Sequence, residues 1–203
     1  MNFEEYKEER LLKLKKINAF YSSSNKTERE RWVVREFLKN MQIKYDEEEL
    51  LGSEDTFPDI LFRNAKFEIK ELMDDDRRRH YEVKQEYEVL ERAKSYDDVP
   101  REEWDIEELS LEEFFDWIVR KLVKEKQYPD DVVANTDLLI YVNTIKSDID
   151  REKLIAVTPR NAELRKWRSL SFLFNDNSAC VLFASDSAPN FIKDSVGKLS
   201  FSL

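Results

Sequence analysis

Residues 57–72 contain two apolar runs with polar side chains set between them: Phe57-Pro58-Asp59-Ile60-Leu61-Phe62-Arg63-Asn64-Ala65-Lys66-Phe67-Glu68-Ile69-Lys70-Glu71-Leu72. Apolar residues that alternate with polar ones are typical of β-strands, and a polar break between two such runs predicts a hairpin. We place its two-residue turn at Asn64-Ala65. This turn pairs Asp59 with Lys70 and Leu61 with Glu68.

The predicted hairpin gathers charged groups on one side of the sheet. Side chains along a strand point alternately to the two faces. One face therefore carries Asp59, Glu68 and Lys70, and diagonal neighbours on it lie roughly 7–8 Å apart. The other face carries the apolar residues and can pack on a helix: Ile60, Phe62, Phe67 and Ile69. A shift of one residue in register would separate Asp59 from Glu68.

Two carboxylates and a lysine on adjacent strands suit the hydrolysis of a phosphodiester. Mg²⁺ prefers hard carboxylate oxygens and keeps several waters in its octahedral shell. The ion lowers the pKa of a bound water and neutralises charge on the phosphate, while an adjacent ammonium group can orient or deprotonate the water. We therefore expect Asp59 and Glu68 to bind Mg²⁺, with Mn²⁺ as a substitute, and Lys70 to act on the attacking water or the phosphate.

The rest of the chain predicts helices interspersed with buried strands. The pattern indicates helices over residues 2–20, 77–95, 110–126 and 161–167, and a further helix from Thr27, where Thr27 and Glu30 form a capping-box signature. It indicates strands over residues 137–143 and 153–158, then a hairpin of residues 170–174 and 179–184. This order predicts an α/β fold with a mixed central sheet flanked by helices.

The spacing of Pro58-Asp59 and Glu68-Ile69-Lys70 resembles the motif of the PD-(D/E)xK nuclease superfamily, which includes restriction endonucleases and archaeal Holliday-junction resolvases. In that superfamily the preceding helix often supplies a further acid. Glu30 matches it, because it lies on the same side of its helix as Val33 and Phe37. The resemblance implies a restriction-endonuclease-like core with a helical insertion, and Glu30 as an auxiliary catalytic acid beside Asp59, Glu68 and Lys70.

More loosely, the whole chain resembles an uncharacterised bacterial family of about this length that is described as "putative endonucleases".

The composition excludes several classes of protein. The chain has 203 residues, of which 41% are hydrophobic, enough for a buried core. Cys180 is the one cysteine and His80 the one histidine, which excludes internal disulfides and most zinc sites. No uncharged run approaches the ~20 residues of a membrane span, and the N-terminus lacks the apolar region of a signal peptide. We expect a cytoplasmic protein that does not enter a membrane.

The net charge of −10 is distributed unevenly. Residues 1–45 carry 11 Lys and Arg against 7 Asp and Glu, whereas residues 46–136 carry 14 against 29. An acidic protein binds nucleic acid poorly without a local basic surface. A candidate phosphate track lies on the second helix, with plain solvation as the alternative: Lys26, Arg29, Arg31, Arg35 and Lys39.

These observations predict a single domain over residues 1–203. It would comprise an N-terminal helix (1–24), a nuclease-like core (25–76 and 137–203) and an acidic helical insertion (77–136). The predicted function is a metal-dependent endonuclease acting on DNA, with a homodimer as the simplest arrangement for cutting both strands. The alternative is a catalytically inactive nuclease-like module for binding or protein interaction, which the acidic middle of the chain favours.

Overall fold

A computed structural model describes residues 1–52, 57–75, 77–99, 105–124 and 128–201. Its helices are α1 (Phe3–Phe20), α2 (Lys26–Asn40), α3 (Arg79–Arg92), α4 (Leu111–Lys124), α5 (Asp130–Val133), α6 (Arg151–Ile155), α7 (Ala162–Arg165) and α8 (Asn190–Lys193). Its strands are β1 (Leu50–Gly52), β2 (Ile60–Phe62), β3 (Ala65–Leu72), β4 (Glu107–Leu109), β5 (Asp137–Val142), β6 (Ser147–Ile149), β7 (Ser169–Phe174), β8 (Ser178–Ala184) and β9 (Leu199–Phe201). Residues 125–126 of the predicted helix 110–126, and Asp76 in the predicted core segment, lie outside the described ranges.

Seven strands form one mixed sheet in the order β1-β2-β3-β5-β7-β8-β9. The three central strands, β3, β5 and β7, run parallel, and the outer pairs on both sides are antiparallel. A separate parallel pair joins β4 to β6. The predicted α/β fold with a mixed central sheet flanked by helices is confirmed.

The sheet is covered by a helix on each face. Val34 and Phe37 of α2 pack with Phe67 and Leu139 on one face. Phe114 and Ile118 of α4 pack with strand residues that face the opposite way, among them Leu138, Ile140 and Phe172. The central strands are apolar on both faces because both faces are covered. Residues 111–124, in the predicted insertion, thus supply part of the core.

The hairpin forms with a turn one residue earlier than predicted. Phe62 pairs with Ala65, so the turn residues are Arg63 and Asn64, and Arg63 has a left-handed φ of 53°. Ala65 is fully buried in the sheet. The Arg63 side chain is exposed, and its Nε donates to Glu49 Oε1 at 2.8 Å. The expected turn at Asn64-Ala65 was therefore wrong.

The corrected position of the turn leaves each side chain of the hairpin on the face of the sheet that was predicted for it. Continued one step beyond β2, the observed register puts Asp59 opposite Glu68 rather than opposite Lys70. Because the pairing moves by two positions and not by one, Asp59, Glu68 and Lys70 still share a face. The loop retains two residues, which preserves the alternation on which the site depends.

Two other local predictions were wrong. Helix α2 begins at Lys26 after Asn25, so Thr27 and Glu30 do not form the expected capping box. Residues 151–155 form α6 instead of a strand, because Asp150 accepts a hydrogen bond from the Lys153 amide and caps a helix there. The predicted strand over 137–143 and the closing hairpin are confirmed as β5 and as β7–β8.

Helix α1 lies against α3. Arg10 pairs with Glu86 at 2.5 Å, and the Lys7 ammonium donates to the Ala93 carbonyl at 2.8 Å. Among the described residues, no helix combines the length and apolar character needed to cross a membrane.

Candidate active site

Asp59 lies just before β2 and is fixed by the neighbouring strand. Its Oδ2 accepts a hydrogen bond from the Ile69 amide of β3 at 2.9 Å. Only 8% of the residue is exposed. This backbone contact leaves Oδ1 as the oxygen that can face a cation.

Glu68 and Lys70 project from β3 on the same face as Asp59. The Lys70 ammonium lies 3.0 Å from Glu68 Oε1, and the Tyr128 hydroxyl donates to that oxygen at 3.3 Å. Glu68 is 2% exposed, whereas a fifth of the Lys70 side chain reaches solvent. The lysine therefore forms the outer end of this pair.

Glu30 reaches the hairpin through a lysine of its own helix. The Lys26 ammonium lies 3.1 Å from Glu30 Oε1 and 3.4 Å from Asp59 Oδ1. The residues predicted from sequence thus lie near one another: Lys26 contacts both Glu30 and Asp59, the charge of Asp59 acts on Glu68, and Glu68 contacts Lys70.

Burial and crowding change the acidity of these carboxyl groups. Burial raises the pKa of Glu30 to about 7, and the neighbouring charge of Asp59 adds to the rise, while Lys26 opposes it. Burial, followed by the Asp59 charge, also raises the pKa of Glu68, against the opposing effect of Lys70. Buried like charges of this kind cluster at functional sites.

The donor set fits a hard divalent cation that retains part of its water. Glu30 Oε2 and Glu68 Oε2 are both buried and accept no hydrogen bond from the described part of the chain. Within those same residues, no three His, Cys, Asp or Glu side chains are arranged to enclose a metal ion. Mg²⁺ is commonly bound by one or two carboxylates, with waters filling the other positions. Asp59 and Glu68 can supply these two carboxylates.

A small cavity adjoins this series on the α2 side of the sheet. Its volume is about 160 Å³. Lys26, Arg29 and Glu30 line it together with the rings of Trp32 and Tyr141. The Glu30 end of the site therefore borders a space that a small group can enter.

The candidate phosphate track on α2 is largely taken up by local partners. Arg29 donates to the carbonyls of Phe20 and Ser22. The other members contact acidic or carbonyl groups nearby: Arg31 with Glu28 and Leu50, Arg35 with Glu28 and Glu47, and Lys39 with Glu36. Lys26 alone among these five reaches the carboxylates of the site.

Comparison with known proteins places the chain in a family. The family model described as "Putative endonuclease, protein of unknown function (DUF1780)" matches residues 3–203. The chain belongs to this family. Membership in this endonuclease family indicates a nuclease function and a nucleic acid as substrate.

A solved structure of similar fold comes from Pseudomonas aeruginosa strain PAO1. It is 25% identical, covers 99% of this chain and 96% of its own, and superposes with a TM-score of 0.60. That protein is described as one of unknown function in the monooxygenase superfamily. The curated proteins contain no match.

Two features of the candidate site were not predicted from the sequence. Tyr128 contacts Glu68 across 60 positions of chain, and its ring lies 4.1 Å from that of Phe57, centroid to centroid. No local pattern marks such a contact. Lys26 was assigned to the phosphate track, although its position four residues before Glu30 on one helix face allows the observed pair.

Proposed function

We propose that this chain is a Mg²⁺-dependent endonuclease of the PD-(D/E)xK type that hydrolyses phosphodiester bonds in DNA. The observation that supports it best is the clustering of charged side chains at the hairpin: Lys26 contacts Glu30 and Asp59 at 3.1 and 3.4 Å, and Lys70 contacts Glu68 at 3.0 Å. Glu30 and Glu68 each keep a buried carboxylate oxygen that accepts no hydrogen bond from the described residues. Membership in an endonuclease family supports the same class of reaction.

Asp59 and Glu68 are the proposed metal ligands. Asp59 is already oriented by the Ile69 amide, and Glu68 by Lys70 and Tyr128, so neither carboxylate must reorganise far to bind. When bound, Mg²⁺ would neutralise charge that builds up on the phosphate and acidify a water. Mn²⁺ would substitute because it accepts the same oxygen ligands.

Lys70 and Glu30 are the proposed groups that handle water and charge. The Lys70 ammonium lies beside Glu68 with its outer part in solvent, where it can hold the attacking water or stabilise a phosphate oxygen. Glu30, with a pKa of about 7, can accept a proton at neutral pH. In the in-line step the water oxygen bonds to phosphorus, the opposite P–O bond breaks, and the leaving oxygen takes up a proton.

The test is cleavage of plasmid, single-stranded DNA and RNA substrates by purified protein with Mg²⁺, Mn²⁺ or EDTA. We expect divalent-dependent cleavage that Asp59→Ala reduces by about a thousandfold, since a metal ligand is lost. Asp148→Asn is a matched control, because Asp148 is an exposed carboxylate on β6 whose described contacts are with Arg151 and the Ile149 amide, and none of them involves the site. Equal activity of wild type and Asp59→Ala, or no cleavage of any substrate, would refute the proposal.

A second candidate is an inactive nuclease-like module that binds nucleic acid or protein. It is favoured by the absence of a three-carboxylate cluster in the described ranges and by the low exposure of the acids, 2% for Glu68. Calorimetric titration with Mn²⁺ separates the two candidates. Heat that disappears in Asp59→Asn supports the enzyme, and no heat at high Mn²⁺ supports the module.

We also propose a homodimer in the cytoplasm as the working form on duplex DNA. Two copies would present two sites for two strands. Light scattering of the purified chain, alone and with a short duplex, measures this directly, and a monomer in both conditions contradicts it.

A further inference from the structure

The Lys26 ammonium lies between two carboxylates of the candidate active site. It is 3.1 Å from Glu30 Oε1 and 3.4 Å from Asp59 Oδ1. The two acids are almost entirely enclosed, with side chains 10% and 12% exposed, whereas 57% of the Lys26 side chain is in solvent. The lysine therefore reaches inward from the surface to place one positive charge where the acids converge.

Helix stability does not explain this position. Lys26 is the first residue of α2, where the positive end of the helix dipole disfavours a cation, and Asn25 before it makes no side-chain capping bond. Lys39 shows the ordinary arrangement, since it lies in the last turn and pairs with Glu36 at 2.8 Å. What stabilises Lys26 is the pair of carboxylates.

The Lys26 ammonium group also contacts the Asp59 oxygen that a metal ion would need as a ligand. Asp59 Oδ2 already accepts the Ile69 amide, so Oδ1 is the oxygen turned toward a cation, and Lys26 contacts Oδ1. Burial lowers the pKa of Lys26, but hydrogen bonds and charges from Glu30 and Asp59 outweigh it and raise the pKa overall. The lysine is fully charged at neutral pH.

We propose that Lys26 is the internal counter-ion of the metal-free site, and that a divalent cation must displace its ammonium group from Asp59 in order to bind. This inference rests on the proposed function, because it takes Asp59 as a metal ligand. The flexible, mostly exposed side chain can then swing outward, where it meets the phosphate of the substrate.

The test is the dissociation constant of Mn²⁺, measured by calorimetry on wild type, Lys26→Met and Lys39→Met. Losing the competing charge is expected to tighten Mn²⁺ binding to Lys26→Met about fivefold, the size expected for two partly exposed ion pairs. Lys39→Met removes the same charge from the same helix away from the acids, and should stay within about twofold of wild type. Lys26 is exposed enough that its replacement should not prevent folding.

The outcomes separate this inference from the proposed function. If wild type binds Mn²⁺ and Lys26→Met binds equally or more weakly, Lys26 does not compete, and the proposed metal site stands. If only Lys26→Met binds, the lysine blocks the site completely, which supports the inference. If neither binds, both proposals fail together.

A second measurement excludes a purely structural role for Lys26. In EDTA the melting temperature of Lys26→Met should fall, because the acids lose their counter-ion. The same saturating Mn²⁺ concentration should then raise it more than it raises that of wild type, since a ligand stabilises the folded state more when it binds more tightly. An equal Mn²⁺-induced rise in both proteins contradicts the inference.

Discussion

Glu30 is an acid whose burial makes the folded protein sensitive to pH. Its pKa is raised to about 7 from an ordinary value of 4.5, mainly by burial and then by Asp59. A carboxyl group with a raised pKa favours folding in its protonated form. Its stabilising contribution is complete below about pH 4.5 and is lost as the pH rises through about 7.

Glu30→Gln should therefore flatten the pH dependence of stability. We expect it to unfold with a free energy similar to that of wild type near about pH 5 and to be more stable by about 1 kcal/mol near about pH 8, after allowance for the lost Lys26 contact. Urea unfolding in EDTA at several pH values measures this. Glu28→Gln, in the exposed first turn of α2, should follow the wild-type curve. Parallel curves for wild type and Glu30→Gln would contradict the assignment.

Sequence patterns could place the acids but not their partners. Alternation on the hairpin predicted that Asp59, Glu68 and Lys70 share one face, and the resemblance to the PD-(D/E)xK superfamily added Glu30. The contact of Lys26 with Asp59 crosses from a helix to a strand, so it depends on how the two pack. The same limit explains why the predicted capping box does not form: the Glu30 side chain interacts with Lys26 and Asp59 and not with the backbone at the start of its helix.

At the level of strands, a buried ion pair joins the three parallel strands at their beginnings. Asp137, fully buried at the start of β5, accepts from the Lys66 amide of β3 at 3.0 Å and from the Ser169 hydroxyl of β7 at 2.8 Å. Arg168 pairs with the same carboxylate and also donates to the Asn64 carbonyl in the hairpin turn. The Asp137–Arg168 pair therefore connects the turn of the β2–β3 hairpin to the central strands of the sheet.

Arg168→Met should destabilise the protein by about 3–5 kcal/mol, because it leaves the Asp137 charge buried without its partner. Chemical denaturation measures the loss. Lys166→Met is the surface counterpart: it breaks an exposed contact with Glu163 and should cost less than about 1 kcal/mol. The double variant Asp137→Asn/Arg168→Met should recover part of the loss, since no unpaired charge remains. An equal loss of unfolding free energy in Arg168→Met and Lys166→Met would show that the Asp137–Arg168 pair is not important for stability.

The hairpin shows why element boundaries were harder to predict than element types. Asn64 next to Ala65 favoured a turn at that pair, yet the buried space under β2 and β3 takes the Ala65 methyl group, and Arg63 accepts the left-handed backbone instead. Competition of this kind is decided by tertiary packing. The strand at 153–158 was wrong for a local reason, the capping by Asp150, that the sequence did contain.

For the molecule as a whole, the charge distribution limits how a nucleic acid can be held, including the DNA of the proposed function. The net charge is −10, and four of the five basic residues on α2 are engaged with neighbouring groups. Lys26 and Lys70 are also paired, but with carboxylates of the site itself, so a phosphate bound there could compete for them. We therefore expect DNA to be held mainly at the site and not along a basic groove.

Salt dependence of DNA binding tests this expectation. With Asp59→Asn, which keeps both lysines and should not cut, log K for a labelled duplex should fall against log salt with a slope of about −2, corresponding to about two phosphate contacts. Lys70→Met in the same background should reduce the slope by about one. A slope of about −5 or steeper would mean that the arginines of α2 leave their partners to bind phosphates.

The α/β class followed from the order of apolar segments, because strands buried on both faces and amphipathic helices differ in pattern. The contact of Tyr128 with Glu68 could not be predicted in this way, since the chain between the two residues includes α3 and α4. Contacts across such distances arise from the packing of the finished molecule.

The two edge strands of the seven-stranded sheet, β1 and β9, are each three residues long. Within the described residues, these strands offer a neighbouring chain only a few unpaired amides and carbonyls, and short edge strands of this kind disfavour strand addition and fibre-like growth. If two copies assemble on a duplex, they are therefore expected to meet through helix and loop side chains. Each hairpin site would then keep its own strand pairing, undisturbed by the partner.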